Sequence, residues 1–173
     1  MFNVLMAPTT YKIEGPEAMT AFGHSLAQIL QTGDVIALDG DLGVGKSTLA
    51  RGMIESILLQ TGLPVDDIPS PTFTLVQSYP WGDADDPGRE IWHLDLWRLD
   101  SADEVIELGF DEALGRHAML IEWPDRLGAL LPEEALRLTI DRHEGDGDNT
   151  RRLTLTGGEA ANWPQRLNNL NHG

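Results

Sequence analysis

Apolar and polar residues alternate along this chain in two rhythms. From Gly15 to Gln31, Phe22, Leu26, Ile29 and Leu30 recur at helical spacing behind Pro16, a residue suited to a first helical turn. Gly33-Asp34 ends that pattern. Val35-Ile36-Ala37-Leu38 is then apolar without a break, as expected of a strand covered on both faces. A glycine-rich turn leads into a helix-like stretch from about Lys46 to Leu59, closed by Thr61-Gly62-Leu63-Pro64. Phe73 to Tyr79 and Ile91 to Leu96 read as strands, joined by an Asp- and Gly-rich loop, Pro80 to Glu90, that suits a solvated hairpin. Ser101 and Glu104 have the spacing of a capping box. Met119-Leu120-Ile121 is a second buried strand, ending at Glu122. Leu136 to Ile140 and Arg152 to Thr156 alternate on either side of a polar loop, and the tail from Gly157 has room for one short helix interrupted at Pro164. The alternation predicts an α/β fold of three layers, α/β/α, on a mixed sheet with a parallel core and added antiparallel strands. One domain over 1–157 and a tail over 158–173 are expected.

Composition narrows the function. A chain of 173 residues buries roughly 70 % of its unfolded surface, enough for one core. Its net charge of −16 opposes general binding to nucleic acid or anionic membranes. It does not oppose a phosphate site built from backbone amides and one lysine. Cysteine is absent, which excludes disulfides, thiolate metal sites and cysteine nucleophiles. No apolar run approaches the length of a membrane span, and Met1 to Thr10 lack the basic-then-apolar pattern of a signal peptide. A cytoplasmic protein is expected. Only two lysines occur, Lys12 and Lys46.

Lys46 lies in the most informative segment. Gly40-Asp41-Leu42-Gly43-Val44-Gly45-Lys46-Ser47 matches G-x-x-x-x-G-K-[ST] in full, after an apolar strand and before a helix. Glycines let successive N–H groups turn inward against phosphate oxygens, and the following helix adds the positive end of its dipole. Lys46 would reach the β- and γ-phosphates, and the Ser47 hydroxyl is a hard oxygen ligand for Mg²⁺. This is a nucleoside triphosphate loop. Neither lysine stands in an [NT]-K-x-D segment, so the Ras-type guanine code is missing and ATP is favoured.

Such a site needs a carboxylate at the end of a neighbouring strand. Asp95 and Glu122 both qualify, and strand position does not rank them. Period two also puts His93 and Asp95 on one face, a partial zinc pattern with no third nitrogen or sulfur ligand nearby. Ser70-Pro71-Thr72-Phe73 precedes the next strand and could supply a hydroxyl that senses the γ-phosphate. Trp97 and Trp123 follow the two carboxylates closely enough to line the site or a partner surface.

In order along the chain, the loop segment Gly40 to Thr48, Ser70-Pro71-Thr72-Phe73-Thr74-Leu75-Val76, His93-Leu94-Asp95-Leu96-Trp97-Arg98-Leu99 and Ile121-Glu122-Trp123-Pro124 resemble the TsaE (formerly YjeE) family, small bacterial P-loop ATPases. The resemblance spans Gly40 to Pro124 and implies a P-loop NTPase-like fold. It implies a role in making N6-threonylcarbamoyladenosine at position 37 of tRNAs reading ANN codons. The partners would be TsaB and TsaD, with tRNA met only through that complex. By similarity, Gly43, Val44, Gly45, Lys46, Ser47 and Thr48 would hold the phosphates of ATP, and Ser47 and Glu122 would ligate Mg²⁺. Asp95 would assist without touching the metal or position the attacking water, Thr72 would belong to a switch segment, and Arg151 would approach the nucleotide. Two departures stand out: Trp97 replaces the family's usual tyrosine, and Ser47 the commoner threonine. Beside a partner-stimulated ATPase, a small P-loop kinase and a nucleotide-dependent adaptor without useful hydrolysis remain open from the residues.

Overall fold

Seven strands form one sheet in the order β1-β7-β6-β2-β5-β4-β3 in the computed structural model, which describes residues 7–65, 67–83, 85–143 and 145–170. The amino-terminal signal question therefore falls partly outside the described residues. Strands β2 (Val35–Asp39), β5 (Ala118–Glu122), β4 (Glu90–Asp95) and β6 (Leu136–Asp141) run parallel and make the core of the sheet. β7 (Thr150–Gly157) returns antiparallel on β6, β1 (Thr9–Glu14) pairs antiparallel with β7, and β3 (Val76–Pro80) pairs antiparallel with β4. The mixed α/β sheet expected from the alternation is the one observed.

Val35 to Leu38 are all buried because layers cover both faces of β2. One face packs Ile36, Leu38, Leu120 and Leu138 against α1 (Gly15–Gln28), α2 (Lys46–Thr61) and α5 (Trp163–Leu170). The other packs Val35, Leu94, Met119 and Ile121 against the short helices α3 (Asp103–Glu107) and α4 (Phe110–Ala113) and a 3₁₀ segment, Pro124–Leu130. These are the three expected layers. At the start of α3 the Ser101 N–H donates to the Glu104 carboxylate at 3.0 Å, one half of the expected capping box, while Ser101 Oγ accepts the N–H of Asp103 at 3.3 Å rather than that of Glu104.

Three elements differ from expectation. The strand expected from Phe73 begins only at Val76, because Leu75 takes a left-handed φ of 63° and Phe73 is 82 % exposed. Pro164 does not interrupt the last helix but lies in its first turn, where its missing N–H has no cost. β1 carries too few apolar residues to stand out; only Ile13 of its six residues is buried.

Helices α1 and α2 meet backbone to backbone at two glycines. A Cβ at Gly23 would lie 2.6 Å from the Leu49 carbonyl oxygen, and one at Gly52 would lie 2.6 Å from that of Thr20. Helix α5 is pinned from the other side. Arg166 donates both terminal nitrogens to the Asp34 carboxylate, at 2.7 and 2.9 Å, and Trp163 beneath it is fully buried.

The helix contact yields a stability test. Gly52→Ala forces the two helices apart and should cost about 1–3 kcal/mol. That corresponds to a fall of roughly 3–10 °C in Tm for a chain of this size. Thermal melts followed by circular dichroism measure it. An unchanged Tm would show that the helices separate freely.

Candidate nucleotide and metal site

Three parallel strands end level with one another: Leu38 is the register partner of Glu122, and Glu122 of Asp95. That common edge is where ligands bind in open α/β sheets. The chain leaves β2 into the loop 40–45, which must pass close under β6. A Cβ at Gly40 would lie 2.5 Å from the Ile140 carbonyl oxygen, and Gly40 has φ 141°, so glycine is required there twice over. Helix α2 then starts at Lys46, its open N–H groups facing the loop.

A cavity of about 280 Å³ lies over this edge, lined by Gly43, Gly45, Lys46, Ser47, Thr48, Arg51, Ser70, Thr72, Asp95, Trp97, Glu122 and Trp123 among others. A second of about 130 Å³ opens on the far side of the loop, between Pro16, Met19, Val44, Thr48, Asn149 and Arg151. Gly43 to Thr48, Thr72, Asp95, Trp97, Glu122, Trp123 and Arg151 each line one or the other, whereas His93 lines neither. The two cavities share Gly43, Gly45 and Thr48.

The Ser47 hydroxyl donates to Glu122 Oε2 at 2.9 Å, and His93 Nε2 donates to Oε1 of the same carboxylate at 2.8 Å. Asp95 is engaged elsewhere. Its Oδ2 accepts from the Thr72 hydroxyl at 2.8 Å and from Ser70 at 3.3 Å, and its Oδ1 accepts the Trp97 N–H at 3.1 Å. The bond from residue 97 is made by the main chain, so it does not depend on tryptophan or tyrosine there. His93 and Asp95 do lie on one face, but they hold different partners. The strand order decides between the two carboxylates: β5 lies beside β2, so Glu122 meets Ser47 while Asp95 holds the Ser70–Thr72 segment.

Lys46 is folded back on its own loop, donating to the carbonyl oxygens of Gly40 at 2.5 Å and Asp41 at 2.9 Å. Its ammonium lies 3.9 Å from the centre of the Trp123 ring, and Trp123 meets Trp97 with ring centres 4.4 Å apart. Burial pushes the Lys46 pKa below the usual lysine value, against the opposing pull of Glu122, Asp95, Asp41 and Asp39. Arg151 donates Nε–H to the Val44 carbonyl at 3.1 Å, bracing the loop from β7. Hydroxyl and carboxylate oxygens on adjacent elements suit a hard divalent cation such as Mg²⁺, which prefers few protein ligands and retains water. Ser47 and Glu122 would hold it.

Sequence reading overlooked Arg51, which α2 carries to the cavity wall, and gave His93 only a zinc role. The period-two relation of His93 to Asp95 is the signal that could have placed it at the site.

The family profile described as "Threonylcarbamoyl adenosine biosynthesis protein TsaE" matches residues 13–153. A tRNA threonylcarbamoyladenosine biosynthesis protein TsaE of Streptomyces coelicolor is 37 % identical over 80 % of this chain and 90 % of its own length. The protein of the same name from Bacillus subtilis is 34 % identical over 87 % of each chain. The crystal structure of Bacillus subtilis YdiB superposes with a TM-score of 0.70 at 25 % identity, covering 99 % of this chain and 98 % of that one. With the phosphate loop, the level carboxylates and the fold in agreement, this chain belongs to the TsaE family.

Proposed function

We propose that the protein is a Mg²⁺-dependent ATPase that serves threonylcarbamoylation of adenosine 37 in tRNAs reading ANN codons, together with TsaB and TsaD. One observation carries the ATPase reading: Ser47 and Glu122 share a hydrogen bond of 2.9 Å at the start of a helix that follows a glycine loop. The tRNA role is supported by the names of its relatives.

The roles follow from position. Amides of Gly43 to Thr48 would cradle the phosphates, and Arg151 would steady the loop beside the second cavity, which has room for part of the nucleoside. Lys46 would exchange two carbonyl oxygens for phosphate oxygens, a stronger charge-assisted pairing. Mg²⁺ at Ser47 and Glu122 would neutralise charge on the phosphates. Asp95 would orient the attacking water or hold Thr72, whose hydroxyl it already binds. Because phosphate would enter a chain of net charge −16, every cationic or dipolar group at the cavity counts. The same surplus of acid leaves tRNA binding to the partners.

Two measurements test this reading. Glu122→Ala should lower Mg²⁺-dependent phosphate release at least about 100-fold, with the fold intact by circular dichroism; unchanged turnover would remove Glu122 from the cation site. Lys46→Ala should abolish ATP binding. In the second test, the purified chain is combined with TsaB, TsaD, ATP, threonylcarbamoyl-AMP and unmodified tRNA. Repeated modification should stop when this chain is left out, and phosphate should appear free rather than on an added acceptor. Multiple turnover without the chain would refute the pathway assignment.

A further inference from the structure

His93 stands in the middle of β4, wholly buried, and is a poor choice for stability alone. Its Nδ1 is buried with no hydrogen-bond partner among the described residues, a destabilising arrangement that an apolar side chain would avoid. The other ring nitrogen makes one bond, to Glu122 Oε1 at 2.8 Å. Strand geometry explains the reach. His93 is the register partner of Leu120, two residues before Glu122, so the three side chains share the sheet face under α2, where Ser47 lies.

A glutamate carboxylate turns easily about its last torsion, which has broad wells and near two-fold symmetry. Glu122 is held at both oxygens, by His93 on Oε1 and Ser47 on Oε2. A cation arriving at Ser47 would replace only the serine bond. The histidine bond would then be what keeps Oε2 facing the cavity.

We propose that His93 is a positioning residue for the cation site, fixing the Glu122 carboxylate through Oε1 and so setting the affinity for Mg²⁺. The inference rests on the reading of Glu122 as a metal ligand. Removing a side chain that orients a metal ligand weakens metal binding about 10–100-fold in well-studied sites.

Two amide variants isolate the bond. Glutamine can place its side-chain nitrogen where Nε2 lies, whereas asparagine is one bond shorter and cannot reach Glu122. Binding of the non-hydrolysable analogue adenylyl imidodiphosphate is titrated by calorimetry across a Mg²⁺ series and in EDTA. His93→Asn should raise the half-saturating Mg²⁺ concentration about tenfold or more, while His93→Gln stays within about threefold of the parent. Affinity in EDTA should be unchanged in both. If asparagine does not fold, as judged by thermal melting, His93→Met replaces it with the same expectation. Equal Mg²⁺ responses for the reaching and non-reaching variants, or a loss of affinity already present in EDTA, would overturn the proposal. Glu122→Gln is run in parallel. If it shifts the Mg²⁺ response and His93→Asn does not, the inference about His93 fails alone; if Glu122→Gln shifts nothing, the metal-ligand reading fails and takes the inference with it.

Discussion

Parallel pairing in register is the constraint on which the rest of the site depends. Because Leu38, Glu122 and Asp95 are consecutive partners across β2, β5 and β4, three strands end at one height. A slip of two residues in β5 would carry Glu122 by the length of two strand residues, about 6–7 Å, well out of reach of Ser47. A slip of one would turn it to the opposite face. The buried apolar faces prevent both, since Leu120 and Met119 belong to different packed layers. The core therefore fixes the chemistry at its edge.

Strain gathers at the same edge. Leu75 and Trp123 are non-glycine residues with left-handed φ, at 63° and 58°, a conformation that costs about 1–3 kcal/mol each. Leu75 closes the segment that Asp95 holds, and its carbonyl accepts the Asp95 N–H at 3.0 Å. Trp123 follows Glu122 directly and covers the Lys46 ammonium. Each of these two sits next to one of the two carboxylates, whereas Asn162, the third such residue among those described at φ 58°, directly precedes α5.

The loop and both carboxylates are legible in the sequence because their signals are local: a fixed spacing, and an apolar run ending in an acid. The choice of Glu122 over Asp95 as the neighbour of Ser47 is not local. It follows from β5 lying between β2 and β4, and no spacing along the chain encodes strand order. The start of β3 was hidden for a different reason. Phe73-Thr74-Leu75 has strand-like residues, yet the hydroxyls of Ser70 and Thr72 turn to Asp95, and Leu75 reverses its φ. An edge strand such as β1, paired on one side only, leaves a weak apolar signature.

The tie between α5 and the start of β2 reaches further than its position suggests. Asp34 immediately precedes the strand that launches the phosphate loop, and Arg166 also donates to the Ile29 carbonyl at 2.8 Å, at the end of α1. The family match stops at residue 153. A fragment cut there would keep every residue of both cavities and yet lose Trp163, Arg166 and Leu167, which close the core against α1. The core that supports the site thus includes residues beyond the stretch that lines it. Sequence drift in the last helix therefore acts on the contacts that seat the start of β2.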